Sequence, residues 1–495
     1  MGLAGLLLMS GIAWGQAASP PTTMLRVTTK LVVLDVVVTD KAGAPVRGLS
    51  REDFTVFEDG KEQRLRSFDS TDAGVPGASS KPKMIFVLDE LNDTFAEMAD
   101  SRSGLKKYLQ TQKDGMATPT MLIAVSSNGL KVLHGYTTDA QELIPVLDHH
   151  TPGVPYKAAA GFAVERLAQT LSMLQQVAIS MRGEEGRKSI IWVGKGFPSV
   201  DPAKLIDRDR TVVAKALRTT VNLLLKSRMT VNKVDPTGLS SGVTAMDPDR
   251  MFMTSDDGAD PYDGAVSFNS LTLQTGGRYY YNRNDLDREI GQSVEQGRVF
   301  YTLSFTPTSV EADGVYRHLR VSVRQPAALV QTKHGYYGGT ELPPEPSQAE
   351  LALDLGQAAS NSLTYSGVVV HVLSLVPNPH TGAQAGTALA TLSVDGSTLT
   401  YATDEHGDGH AHVYFAVANF GEKNKMIGFN AQRVDTTVKA ANLERVTTSQ
   451  PLFHVTVPLA AGTKRLRVVV RDVASGKTGS SDVDPAKVPS VVAGP

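Results

Sequence analysis

The chain has 495 residues, with 49 Lys and Arg against 51 Asp and Glu; a formal net charge of −2 gives no electrostatic case for binding nucleic acid or an anionic membrane. At roughly 150 residues per domain this length predicts about three domains, and a hydrophobic content of 41% suffices for several cores. There is no cysteine, which excludes disulfides, thiolate nucleophiles and Cys-based zinc sites.

Residues 1–18 read as an export signal, in which a short apolar run from Leu3 to Ile12 is followed by small residues through Ala18. That run is well short of the about 20 residues a bilayer-spanning helix needs. No later stretch is longer and as apolar, so no transmembrane segment is expected. Residues 25–70 predict a small β-module: Leu25 to Thr39 is rich in β-branched residues, and Asp59-Gly60 sits between two further strand-like runs as a hairpin signal. A loop rich in Gly, Ser and Pro, Thr71 to Pro82, follows.

From residue 82 to about 340 strand and helix alternate. Met84–Leu88, Met121–Val125, Ser189–Val193 and Met229–Val234 are short apolar runs of the kind a fully buried parallel strand shows. Between them apolar residues recur at helical spacing: Leu105 and Leu109, Leu143 and Leu147, Leu167 to Val177, Leu217 to Leu224, Leu286 to Val294. This predicts an α/β, Rossmann-like, doubly wound and mostly parallel sheet. Phe300–Phe305, Leu319–Val323 and Val330–Lys333 read as strands closing that unit onto its neighbour. Residues 341–349 read as a Pro-rich linker, 350–485 as a C-terminal β-sandwich of many short strands, and 486–495 as a disordered tail.

The first parallel strand ends in Asp89, Asn92 and Asp93. In open α/β sheets ligands bind outside the carboxyl ends of the strands, so these oxygens mark an ion or partner site; equally, Asn92 and Asp93 can be caps of the next helix. Asp404 to His412 is the densest group of other possible ligands. His410 and His412 would share one strand face, with His406 or Asp408 completing a metal site, although the same residues read as a polar turn entering a strand. The acidic loop Asp256–Gly264 lacks EF-hand spacing and reads as a solvated loop, and His149-His150 as a helix-end pair. Tyr279–Tyr281 and Tyr336-Tyr337 suit either an aromatic contact surface or packing at strand ends. No G-x-S-x-G, Walker A or G-x-G-x-x-G motif is present.

Taken in order, DFTVFEDGKEQRLRSFD (Asp53–Asp69), MIFVLD, VDPTGL (Val234–Leu239), TGGRYYYNRNDL (Thr275–Leu286), YTLSFTP (Tyr301–Pro307) and HGYYGG (His334–Gly339) resemble bacterial, acidobacterial-type exported proteins with a von Willebrand factor A (vWA)-related domain. The resemblance implies a Rossmann-like fold with a divalent cation, Mg or Ca, at the strand edge, held by a D-x-S-x-S motif, a Thr from a second loop and an Asp from a later T-D-G. Here Asp89 stands in the first position and Asp93 in the third, while Leu91 replaces the first serine and Gly194-Lys195-Gly196 stands where T-D-G is expected; Thr151 is the candidate Thr. Asp89 and Asp93 are therefore the candidate metal ligands of a degenerate site. A semi-buried carboxylate needs a positive partner, and the expectation is a metal-free site in which the Lys195 ammonium pairs directly with Asp89. The function expected is a non-enzymatic, exported adhesion module meeting a protein or glycan at the edge formed by Asp89, Asn92, Asp93 and Lys195. The alternatives are a structural component of a cell-envelope assembly, or a metal-dependent hydrolase using the histidine cluster.

Overall fold

A computed structural model describes residues 31–71, 82–154, 162–201, 204–237, 266–281, 285–308, 314–326, 328–338, 348–378 and 386–489. The export signal, the acidic loop, the prolines of the linker and residues 490–495 lie outside these.

The N-terminal strands are β1 (Val32–Thr39), β2 (Phe54–Glu58), β3 (Lys61–Gln63) and β4 (Leu65–Ser70). The α/β unit follows with β5 (Lys83–Asp89), β6 (Thr120–Ser126), β7 (Gly129–Thr137), β8 (Lys188–Val193), β9 (Met229–Val234) and β10 (Tyr279–Tyr280). These form one sheet in the order β10-β9-β8-β5-β6-β7, parallel throughout except for β7, which runs antiparallel to β6 at the edge. Helices α1 (Phe95–Thr111), α2 (Ala140–His149), α3 (Ala163–Ser180), α4 (Asp207–Lys226), α5 (Phe268–Gln274) and α6 (Leu286–Arg298) cover it. The pleat explains why β5 is apolar throughout: Ile85 and Val87 enter the layer under α3, α4 and α5, whereas Met84, Phe86 and Leu88 enter the layer under α1, α2 and α6. The expected doubly wound sheet is what the chain forms.

The four strands after it, β11 (Tyr301–Phe305), β12 (Tyr316–Val323), β13 (Leu329–Gln331) and β14 (Gly335–Tyr337), do not belong to that sheet. They return to the N-terminus. β1 pairs with β11 and β13, β4 with β11, and β2 with β12, giving two four-stranded sheets, β13-β1-β11-β4 and β14-β12-β2-β3. Leu34, Val36, Phe54, Val56, Leu303, Phe305 and Leu319 fill the space between them. This corrects the expected boundaries of 25–70 and 82–340, because the N-terminal module is half of a sandwich into which the α/β unit is inserted.

Residues Gln348–Ser360, placed by the sequence reading in the linker and sandwich, form a helix, α7. Beyond it lie β15 (Val370–Pro377), β16 (Thr387–Val394), β17 (Ala402–Thr403), β18 (Gly409–Phe420), β19 (Met426–Val438), helix α8 (Ala440–Thr447), β20 (Leu452–Pro458), β21 (Arg465–Asp472) and β22 (Thr478–Val483). Sheets β15-β16-β20 and β17-β18-β21-β22, with β19 on the other side of β18, pack around Leu392, Val413, Phe415, Val468 and Val470. Two packed sheets thus make up this C-terminal region. The supposed tail begins later than residue 486, since the Pro489 carbonyl accepts from Leu375 N–H at 3.0 Å.

Candidate site at the sheet switch point

Strand order reverses between β5 and β8, and the crevice of a doubly wound sheet opens at that point. The turn after β5 carries Asp89–Asp93, and the turn after β8 carries Gly194-Lys195-Gly196. The sequence places both at one edge, and the structure brings them into contact. Gly194 has φ +150°, and a Cβ there would stand 2.2 Å from the Asp89 Cβ. Gly196, at φ +69°, leaves the room that Phe268 occupies.

Asp89 is 1% exposed and ringed by N–H donors. Its Oδ1 accepts from Leu91 N at 3.2 Å, Asn92 N at 2.9 Å and Asn92 Nδ2 at 3.1 Å. Its Oδ2 accepts from Trp192 Nε1 at 2.9 Å, Gly196 N at 2.8 Å and Asn92 Nδ2 at 3.2 Å. Burial nonetheless holds the Asp89 carboxyl above its ordinary value, against the pull of the Trp192, Asn92 and Gly196 donors. Asp93, 2% exposed, accepts from Lys195 N at 2.8 Å and only weakly from Ser101 Oγ at 3.5 Å. Burial, and then the neighbouring Asp89 carboxylate, hold it well above the usual carboxylate range.

The expected Asp89–Lys195 ion pair is not formed. The Lys195 ammonium lies on the Glu97 carboxylate, and only the Lys195 main-chain N–H turns inward, to Asp93. The reason is local. Thr94 and Glu97 make a reciprocal capping box at the start of α1, with Thr94 N donating to Glu97 Oε2 at 2.9 Å, which fixes Glu97 at the rim within reach of a flexible lysine. Burial would raise the Glu97 carboxyl, but the Lys195 and Thr94 hydrogen bonds outweigh it and hold it low. The helix cap is therefore Thr94, not Asn92 or Asp93. Thr94-x-x-Glu97 before an apolar-periodic run is legible in the sequence as a capping box, and it is the signal that would have found Glu97.

Other expected participants fall elsewhere. Thr151 is exposed, whereas Thr170 of α3 accepts from Asn92 Nδ2 at 3.3 Å. His149 Nδ1 meets the Pro145 carbonyl as a helix-end contact. His150 instead crosses to Glu90, with Nε2 2.5 Å from Oε1, and the other Glu90 oxygen takes Gly153 N–H at 2.7 Å. That buried pair pins the loop whose Pro152 roofs a void of about 10 Å³ beside Asp89 and Met98. At the neighbouring strand end Lys233 pairs with Asp235 at 3.0 Å.

The donor set does not fit a divalent cation. Both Asp89 oxygens already accept N–H donors, Leu91, expected at a ligand position, has no ligating atom and puts its side chain in the core, and the rim cation is the Lys195 ammonium. The histidine stretch folds as a turn and strand. His410 pairs with Asp404 at 2.9 Å and Thr437 at 3.1 Å, His412 with Asp435 at 2.6 Å, and Asp408 with Lys439 at 2.7 Å; His406 lies near Glu405 at 3.6 Å. His406, Asp408, His410 and His412 thus turn to different neighbours, and among the described residues no three His, Asp or Glu side chains are grouped as metal ligands. Tyr279 and Tyr280 are buried, the latter donating to Gln296 Oε1 at 2.9 Å, and Tyr336 donates to Glu58, so these rings pack at strand ends.

No protein-family model matches the chain, and no curated protein does. Among solved structures it is similar to the SpRpn10 VWA domain, at 17% identity over 44% of this chain and 97% of that one, with a TM-score of 0.22. It is also similar to the pilus adhesin SpaC from Lactobacillus rhamnosus GG, at 9% identity over 85% of this chain and 58% of that one, with a TM-score of 0.25.

Proposed function

We propose that the protein is an exported, non-enzymatic interaction module whose α/β unit is of vWA type and whose strand-edge ion site has been replaced by protein groups. The observation that carries this reading is the saturation of Asp89 by N–H donors while the Lys195 ammonium pairs with Glu97. Contact with a protein or glycan partner then falls to the rim, where the Lys195 side chain is 39% exposed, and not to Asp89 and Asp93, which are sealed below it. Asp89, Asn92 and Asp93 act as positioning residues for that rim. Supporting the vWA reading are the ordered sequence segments, the strand order with one antiparallel edge and the location of Asp89 at the switch point.

Calorimetric titration with magnesium, manganese and calcium tests the ion-free edge: no binding is expected, and micromolar binding abolished by Asp89→Ala would overturn it. Surface binding to a glycan and peptide array tests the partner. A saturable ligand lost in Lys195→Glu supports the rim, and a ligand bound equally by that variant moves recognition elsewhere.

A further inference from the structure

Several sheet edges of this protein are each met by another stretch of its own chain. On the outer side of β7, Val132 N–H donates to Ser362 Oγ at 3.0 Å. On β22, Ser480 N–H donates to the Tyr365 carbonyl and Tyr365 N–H to Ser480 Oγ, both at 2.8 Å. β15 is met by the Pro489 carbonyl. β19 is different. Its 13 residues pair along one side with β18, from Gly409↔Val438 to Phe420↔Met426. On the other side, among the described residues, it makes no main-chain hydrogen bond, and only the Gln432 side chain crosses, to the Thr456 carbonyl at 3.0 Å.

Proteins blunt such edges with lysine, proline, bulges or short strands. β19 has no lysine or proline, and its one register irregularity lies at the Met426 end. Ile427 and Phe429 are exposed on it. Its two charges are Arg433 and Asp435, two residues apart and therefore on one face, flanking Val434; within the chain they pair with each other at 2.7 Å, and Asp435 also meets His412 at 2.6 Å.

We infer that β19 is the interface of a homodimer, in which two copies pair antiparallel about Val434. A two-fold interface must be self-complementary, and this register is: Arg433 of one copy faces Asp435 of the other, twice, with Gln432 facing Thr436 and Ala431 facing Thr437. The two five-stranded sheets then become one continuous sheet, and the occupant of the edge is a second copy of this chain.

Sedimentation equilibrium of the full chain over a concentration series tests the inference, with a reversible monomer–dimer equilibrium expected. Arg433→Asp alone and Asp435→Arg alone each set like charges face to face at two places and weaken dimerisation by roughly tenfold to hundredfold. Mixing the Arg433→Asp chain with the Asp435→Arg chain restores it as a heterodimer, because the two copies then face each other with opposite charges while the pair within each chain stays broken, a rescue that repair within one chain would not give. A wild-type monomer at every concentration, or a mixture of the two single variants that fails to dimerise, would each overturn the assignment.

Discussion

Asp93 shows how one side chain is governed by what surrounds it. Its carboxyl is buried beside Asp89, with Glu97 and Asp235 adding negative charge, so the folded protein holds its proton more tightly than the unfolded chain, whose value is near 3.8. Stability from this group is complete below that value and is lost as pH rises through the higher folded-state value. Asp93→Asn keeps the acceptor for Lys195 N–H and removes the titration. Melting temperatures measured from pH 4 upward should therefore fall less steeply for the variant than for the parent; parallel curves would show that Asp93 ionises as an ordinary carboxylate. Trp192, whose indole bonds Asp89, supplies an intrinsic fluorescence signal for the same pocket.

Between elements, the turn from α4 to β9 carries Arg228 at φ +51°, a left-handed position that normally selects glycine. Arginine stands there because its guanidinium reaches back to the N-terminal sandwich, pairing with Asp35 at 2.6 Å and with Thr302 at 3.1 Å. Two substitutions separate backbone from side chain. Arg228→Ala loses the pair and keeps the strained turn, whereas Arg228→Gly loses the pair but relieves about 1 kcal/mol of backbone strain. Thermal denaturation should rank the parent above Arg228→Gly and Arg228→Gly above Arg228→Ala; equal losses would remove backbone strain from the account.

This turn also marks the limit of what was legible in the chain. KMIFVLD, TMLIAVS and KSIIWV declare buried parallel strands because each is apolar on both faces, and Asp89 could be placed at the carboxyl end of the first of them from that alone. The pairing of β1 with β11 was not legible, since alternation announces a strand without naming a partner more than 260 residues away. The QAELALDLGQAAS helix was missed between a proline-rich stretch and a run of strands. The partner of Lys195 was misjudged because a shared sheet edge does not say which of several carboxylates a flexible ammonium will reach.

At the scale of the molecule, the C-terminal sandwich is fastened to the α/β unit and not strung from it. Ser366 N–H donates to the Ser180 carbonyl at 2.9 Å, Asn361 Nδ2 donates to Gln176 Oε1 at 2.7 Å, and Leu363 sits in the core under α3. A Cβ at Gly183 would lie 1.8 Å from the Ser366 carbonyl oxygen, too close to tolerate. Scanning calorimetry should therefore show one cooperative transition for the parent and two for Gly183→Val, with the C-terminal unit melting apart; a single unshifted peak in the variant would mean the contact adds no cooperativity. The inserted arrangement has a further result for biogenesis. At about 5–20 residues per second of synthesis, β1 waits roughly 15 to 50 seconds for β11 to be made. Throughout that interval neither strand that pairs with VVLDVVVT has been made, so both of its edges stay open to other chains.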